Sequence, residues 1–167
     1  MGGLPRLYVR QGDRLVEASE EDRVVAGRYS SWPDKGQIVD GKRLTILTGT
    51  TSCAVNDEVR VVHVFEAGTL GLPVYVMGPK PVYGEYVDGE LATESPRNQE
   101  RPWDPEFYAG ATLPSPAVDY NYEITSYRFA VPGAHSILWD LGQLQSNRLT
   151  IEVTEPASDP ERDQEQI

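Results

Sequence analysis

The sequence predicts an all-β protein, an antiparallel β-sandwich of seven strands, and three observations carry that reading. The closing stretch alternates apolar with polar residues: Tyr120, Tyr122 and Ile124, then Ile137, Trp139 and Leu141, then Leu149, Ile151 and Val153. A period of two puts one set of side chains on one face, as in a half-buried strand. Four strand-like segments precede it, at 44–48 (LTILT), 58–66 (EVRVVHVFE), 72–77 (LPVYVM) and 82–87 (VYGEYV). The segment 58–66 is apolar on both faces, as a central strand is. Turn chemistry falls between the segments. Asp40-Gly41 and Asp88-Gly89 suit tight hairpins that need positive φ, and Pro132-Gly133 and Ser146-Asn147 mark the last joints.

The rest of the chain divides around that sandwich. Residues 1–43 read as an N-terminal extension with a hairpin over 7–16. They also hold one short helix over 19–25, with Ser19 as N-cap and Asp22 three residues on. Residues 44–154 form the sandwich. Residues 92–118 are a long proline-rich connection inside it, and loops of that length are often functional. The tail 155–167 is acidic and polar, the composition of a disordered segment.

Length and charge narrow the functions. At 167 residues the chain is long enough to bury a core without metal or disulfide staples. A net charge of -11 argues against nucleic acid, which needs a basic footprint, and against anionic membrane surfaces. Cys53 is the single cysteine, so no internal disulfide forms. The first residues lack the apolar run of a signal peptide, and no segment is apolar enough to span a membrane, so a cytoplasmic location is expected.

The closing strands PGAHSILWDLG, QSN and RLTIEV resemble the end of bacterial immunoglobulin-like β-sandwich modules, over residues 44–154. The resemblance implies an immunoglobulin-like fold with 58–66 as strand B, 72–77 as strand C and 134–141 as strand F. The antibody-type cysteine pair is absent, and His63 and Trp139 fall on strands B and F, facing each other across the core. Such sandwiches host unrelated functions, so the resemblance implies no catalytic residue.

Four constellations stand out. Residues 77–90 (MGPKPVYGEYVDGE) gather Lys80, Tyr83, Glu85, Tyr86 and Asp88 into one strand-turn unit. Lys80 is stiffened by Pro79 and Pro81. Tyr83 and Glu85 share one face and Tyr86 and Asp88 the other, an arrangement that could grip a sugar or form an ordinary sandwich edge. Asp119, Asn121 and Glu123 share one face of the next segment, with Tyr120 and Tyr122 opposite. Along a straight strand those three spread over about 13 Å, too far to converge on one cation. His63, His135 and Cys53 lack the spacing of a zinc site and read as structural, so no metal and no cofactor is expected. Trp103, Phe107 and Tyr108 on the long loop are either pinned to the sandwich or presented as a contact patch.

Two functions compete. The first is a non-catalytic module that binds a protein or carbohydrate through loops and a tyrosine-rich edge: Tyr83, Tyr86, Trp103, Tyr108, Tyr120 and Tyr122. The second is a small enzyme, a hydrolase or natural-product cyclase, with Glu85 or Asp88 as acid or base and Lys80 or Tyr83 stabilising charge. A third option is a subunit that pairs sheet edges in a homo-oligomer.

Overall fold

The computed structural model describes residues 5, 7–68, 73–75, 79–94, 112–114 and 117–155. They form a mainly β protein with one short α-helix. In chain order the elements are β1 (Tyr8–Gln11), β2 (Arg14–Glu17), α1 (Glu20–Gly27), β3 (Lys42–Thr48), β4 (Ser52–Ala54), β5 (Glu58–Ala67), β6 (Pro73–Tyr75), β7 (Glu85–Val87), β8 (Glu90–Leu91), β9 (Thr112–Pro114), β10 (Ala117–Asp119), β11 (Thr125–Arg128), β12 (Gly133–Asp140) and β13 (Gln145–Thr154).

Two sheets supply the core. In the first, β5 is central: β3 lies along one edge, and β10 and β11 pair in tandem with the other, all antiparallel. The second runs β4-β13-β12-β7-β8, with β4 parallel to β13. Leu44, Ile46, Val59, Val61 and Phe65 from the first sheet meet Ile137, Trp139, Leu149, Ile151 and Val153 from the second in one buried cluster. The alternation read in the closing stretch selects the residues of the second sheet. The even-numbered Val62 and Val64 of β5 emerge on the outer face, where Leu7, Ala18, Val25, Ala26 and Tyr29 cover them. Residues 7–31, expected within an extension, thus pack as a third layer. A small hairpin (β1–β2) and α1 build it, and the Ser19 hydroxyl caps α1 by accepting from the Asp22 amide at 3.2 Å.

Both Asp-Gly turns form as their sequence requires. Asp40 and Gly41 have φ of 51° and 75°, Asp88 and Gly89 of 51° and 82°, so each pair takes the left-handed region that closes a tight hairpin.

Three expectations change. First, residues 120–124 are not a strand. They are an excursion between β10 and β11 in which the Asn121 amide donates to the Asp119 carboxylate and the Tyr122 amide to the Tyr120 carbonyl. The backbone of Lys80 brackets the excursion, donating to the Asn121 carbonyl and accepting from the Glu123 amide. Asp119 is therefore buried and Glu123 exposed, not on one shared face. Second, Ser146-Asn147 is not a turn; both residues are buried inside β13, and the chain reverses around Gly142 (φ 83°) instead. Their local hydrogen-bonding capacity, which suits turns, is used across the core. Ser146 Oγ accepts from the Trp139 amide at a bulge in β12, and the Asn147 side chain pairs with both the N–H and the C=O of Ile46 on the free edge of β3, at 2.8 and 3.0 Å. Third, the connection 92–118 is not structureless, because β9 and β10 lie in it and β9 pairs with β6. Residues 95–111, with Trp103, Phe107 and Tyr108, lie outside the described residues, as do Val76, Met77 and the tail from 156 on.

Gly36 runs against the same edge of β3. A Cβ there would sit 1.8 Å from the Leu44 carbonyl oxygen, so only glycine fits.

The Asn147 amide closes the seam between the two sheets. Asn147→Ala leaves two buried backbone groups of Ile46 unpaired and should cost roughly 2 kcal/mol or more. A lowered urea midpoint with an unchanged denaturant slope is the expected result; an unaltered midpoint would show that the seam contributes nothing.

Candidate functional site

Glu85 stands at the centre of the second sheet's inner face. β7 pairs with β12 so that Glu85 lies opposite Trp139, and its side chain reaches across the core to the first sheet. It is fully buried, as is His63. His63 Nε2 donates to Glu85 Oε2 at 2.5 Å, and the hydroxyls of Thr125 and Tyr127 both donate to Oε1. These donors share one face because Thr125 pairs with Val61 and Tyr127 with Val59, the same inward set of β5 that carries His63. Burial works against the Glu85 charge, but His63, Thr125 and Tyr127 together outweigh it and hold the carboxyl below its usual range. Burial and the neighbouring Glu85 charge push the Tyr127 hydroxyl well up, so it stays a donor. His63 packs edge-on against Trp139, with ring centroids 5.0 Å apart, as the strand assignment implied. No described residue partners His63 Nδ1.

Lys80 is held elsewhere. Its ammonium pairs with Asp119 at 2.8 Å and lies over the Tyr122 ring, 4.7 Å from the centroid. Burial pushes the Lys80 pKa down and that of Asp119 up. Tyr122 is buried against Trp139, and Tyr120 packs edge-on against Tyr29 in the outer cluster. Tyr83 is half-buried against the core, and its carbonyl accepts the Trp139 indole N–H at 2.8 Å. Tyr86 is half-buried in β7. Asp88 is exposed at the β7–β8 turn, where it accepts from His135 Nδ1 at 2.6 Å and from the Ser136 amide.

The strand-turn unit at 77–90 therefore does not act as one cluster. Glu85 is committed to the core, Lys80 to Asp119, Asp88 to His135, and the Tyr83 carbonyl to Trp139. Of the six expected contact aromatics, Tyr122 is enclosed, Tyr83, Tyr86 and Tyr120 are half-buried, and Trp103 and Tyr108 lie outside the described residues. No group of three metal-ligating side chains converges among the described residues.

The open surface lies elsewhere. A groove of about 790 Å³ runs between the β1–β2 hairpin, the first turn of α1 and the β5–β11 side of the first sheet. A second recess of about 500 Å³ adjoins it, and both are walled by Glu21, Asp22, Glu58 and Arg60. Asp22 is buried and grips Arg60 through two bonds, at 3.0 and 2.8 Å. Sequence reasoning named Asp22 only as a capping residue and did not single out Arg10, Glu21, Glu58 or Arg60. One signal was available: Arg60 is a lone cation in the interior of an otherwise apolar strand, where it needs an acidic partner.

Two outcomes test this geometry. Glu85→Gln should lower stability by about 3 kcal/mol or more, because a buried set of donors loses its anion. Pairing it in the form Glu85→Leu with His63→Phe should restore much of that loss in urea denaturation; a double variant no better than the single would mean the pair does not act as a unit. The second concerns His135, whose Nδ1 and Nε2 face Asp88 and the Val131 carbonyl, raising its pKa above the usual value. A raised histidine stabilises fully below its unfolded pKa and loses that contribution as pH rises through the folded one. Burial raises the Asp88 carboxyl, yet bonds from His135 and Ser136 outweigh it, so its own contribution is lost only in strong acid. The melting-temperature gap between the parent and His135→Gln should be widest in mildly acidic buffer and close as pH rises. A gap that widens with pH contradicts this.

No family model matches the chain, and comparison with curated proteins and with solved structures returns no match.

Proposed function

We propose that this chain is a non-catalytic, immunoglobulin-like module that binds a protein partner along the groove between the β1–β2 hairpin, α1 and the β5–β11 side. The likeness rests on two largely antiparallel sheets that share one core, a closing β12–β13 hairpin, and His63 packed edge-on against Trp139 between the sheets. One observation carries the function. The ionisable groups best suited to acid–base chemistry, Glu85 and Lys80, are consumed in buried pairs, whereas the broad groove is open and lined by exposed charged side chains. Chemistry needs a titratable group within reach of a substrate. Recognition needs only a shaped, wettable surface with some apolar floor.

Exposing the labelled protein to a mixed library of peptides, sugars and esters tests the proposal by NMR. Backbone amides of Arg10, Glu21, Arg60 and Glu123 should shift with peptides, and no library member should be converted. Conversion of any compound that Glu85→Gln abolishes would overturn the reading, as would a library that leaves the groove amides unmoved.

A further inference from the structure

Resting on the proposed binding role, we infer that the groove takes an extended peptide segment bearing lysine or arginine, whose cation meets Glu21 and Glu123. The charges of the lining select that chemistry. Arg60 is not available to an anion, since Asp22 holds it bidentately and Glu58 lies 3.6 Å away; the three together carry a net negative charge. Glu17 is neutralised by Arg23 at 3.1 Å. Glu21 and Glu123 are exposed and carry no ion pair among the described residues, and their two charges outnumber that of Arg10 in the same lining. The groove is therefore net negative.

The helix end in the wall does not reverse this. The positive N-terminus of α1 is already met by Glu20 and Asp22 in its own first turn and by the Ser19 cap. An incoming anion would find that dipole answered and two uncommitted carboxylates facing it. A cation finds the reverse. The apolar part of the lining fits the same ligand: Val9, Val16 and Ile124 offer partly buried surface for the methylene stem of a long basic side chain, while its charged head reaches the rim. A net charge of -11 draws such a partner from a distance and gives the encounter a strong salt dependence.

Fluorescence anisotropy with three labelled peptides provides the test: lysine alternating with valine, serine with valine, and glutamate with valine. The lysine peptide should bind and the other two should not, and raising the salt should weaken it. Glu21→Gln with Glu123→Gln should weaken it about tenfold, a change of roughly 1.4 kcal/mol. Glu90→Gln with Glu152→Gln removes the same charge from exposed sites on the other sheet and should leave binding unchanged. Thermal melts confirm that both double variants are folded. Equal weakening by the two double variants would overturn the inference by showing a diffuse charge effect. Binding of the serine or glutamate peptide, with the groove amides shifting, would also overturn it while leaving the module reading intact.

Discussion

A carboxylate buried in an apolar core is tolerated only when it is hydrogen-bonded, and at Glu85 the three side-chain donors all come from the facing sheet. His63 reaches it from β5, and Thr125 and Tyr127 reach it from β11. This fixes three strands against one another. A slip of β7 by one residue would turn Glu85 to the outside and bring Tyr86 to the core, leaving three donors unpaired. A purely apolar contact would accept such a slip at far lower cost. The interaction therefore specifies how the sheets meet, beyond whatever it adds to stability.

The same device recurs wherever the layers join. Asn147 uses its amide as a surrogate strand against β3, and Ser146 fills the gap that the bulge opens in β12. Lys80 and Asp119 pin the segment before β7 to the end of β10, and Asp22 anchors α1 to Arg60 of β5. Tyr29, Arg43 and Glu66 form a further knot on the outer face of the first sheet. With short strands and many turns, the chain obtains its register from polar fasteners placed between elements. One consequence is chemical: the Glu85, Lys80 and Asp88 side chains, which look reactive in the sequence, are already paired.

That consequence explains what the sequence could and could not disclose. Strands β12 and β13 were legible because burial alone sets their period of two, and β5 because a strand covered on both faces is apolar on both. The Asp-Gly turns and the Ser19 cap were legible because their causes are local. The break at 120–124 was not, because its alternation is real, and the local turn at Asp119 to Tyr122 is held from outside by the backbone of Lys80, some forty positions away in sequence. Ser146-Asn147 misled for the same reason: its turn chemistry is satisfied by Trp139 and Ile46 instead of by its neighbours. Glu85 carries no local mark of burial either. In a strand with one wet face a glutamate reads as solvated, and the partners that draw it inward lie 22, 40 and 42 residues away. The groove was invisible because it forms only once the first residues fold back over β5.

The groove owes its shape to that folding back. Helix α1 turns Val25 and Ala26 onto the outer face of the first sheet while its first turn stands over Arg60, so one eight-residue element both seals apolar surface and raises a charged wall. Asp22 performs both tasks at once: its amide takes the Ser19 cap, and its carboxylate holds Arg60 in place. A guanidinium gripped at two points on a central strand cannot swing toward an anion, and Glu21 and Glu123 in the same lining stay without an ion pair among the described residues. The sign of the surface thus follows from how the helix is fastened, and the same bond that docks α1 leaves the groove ready for a positive charge.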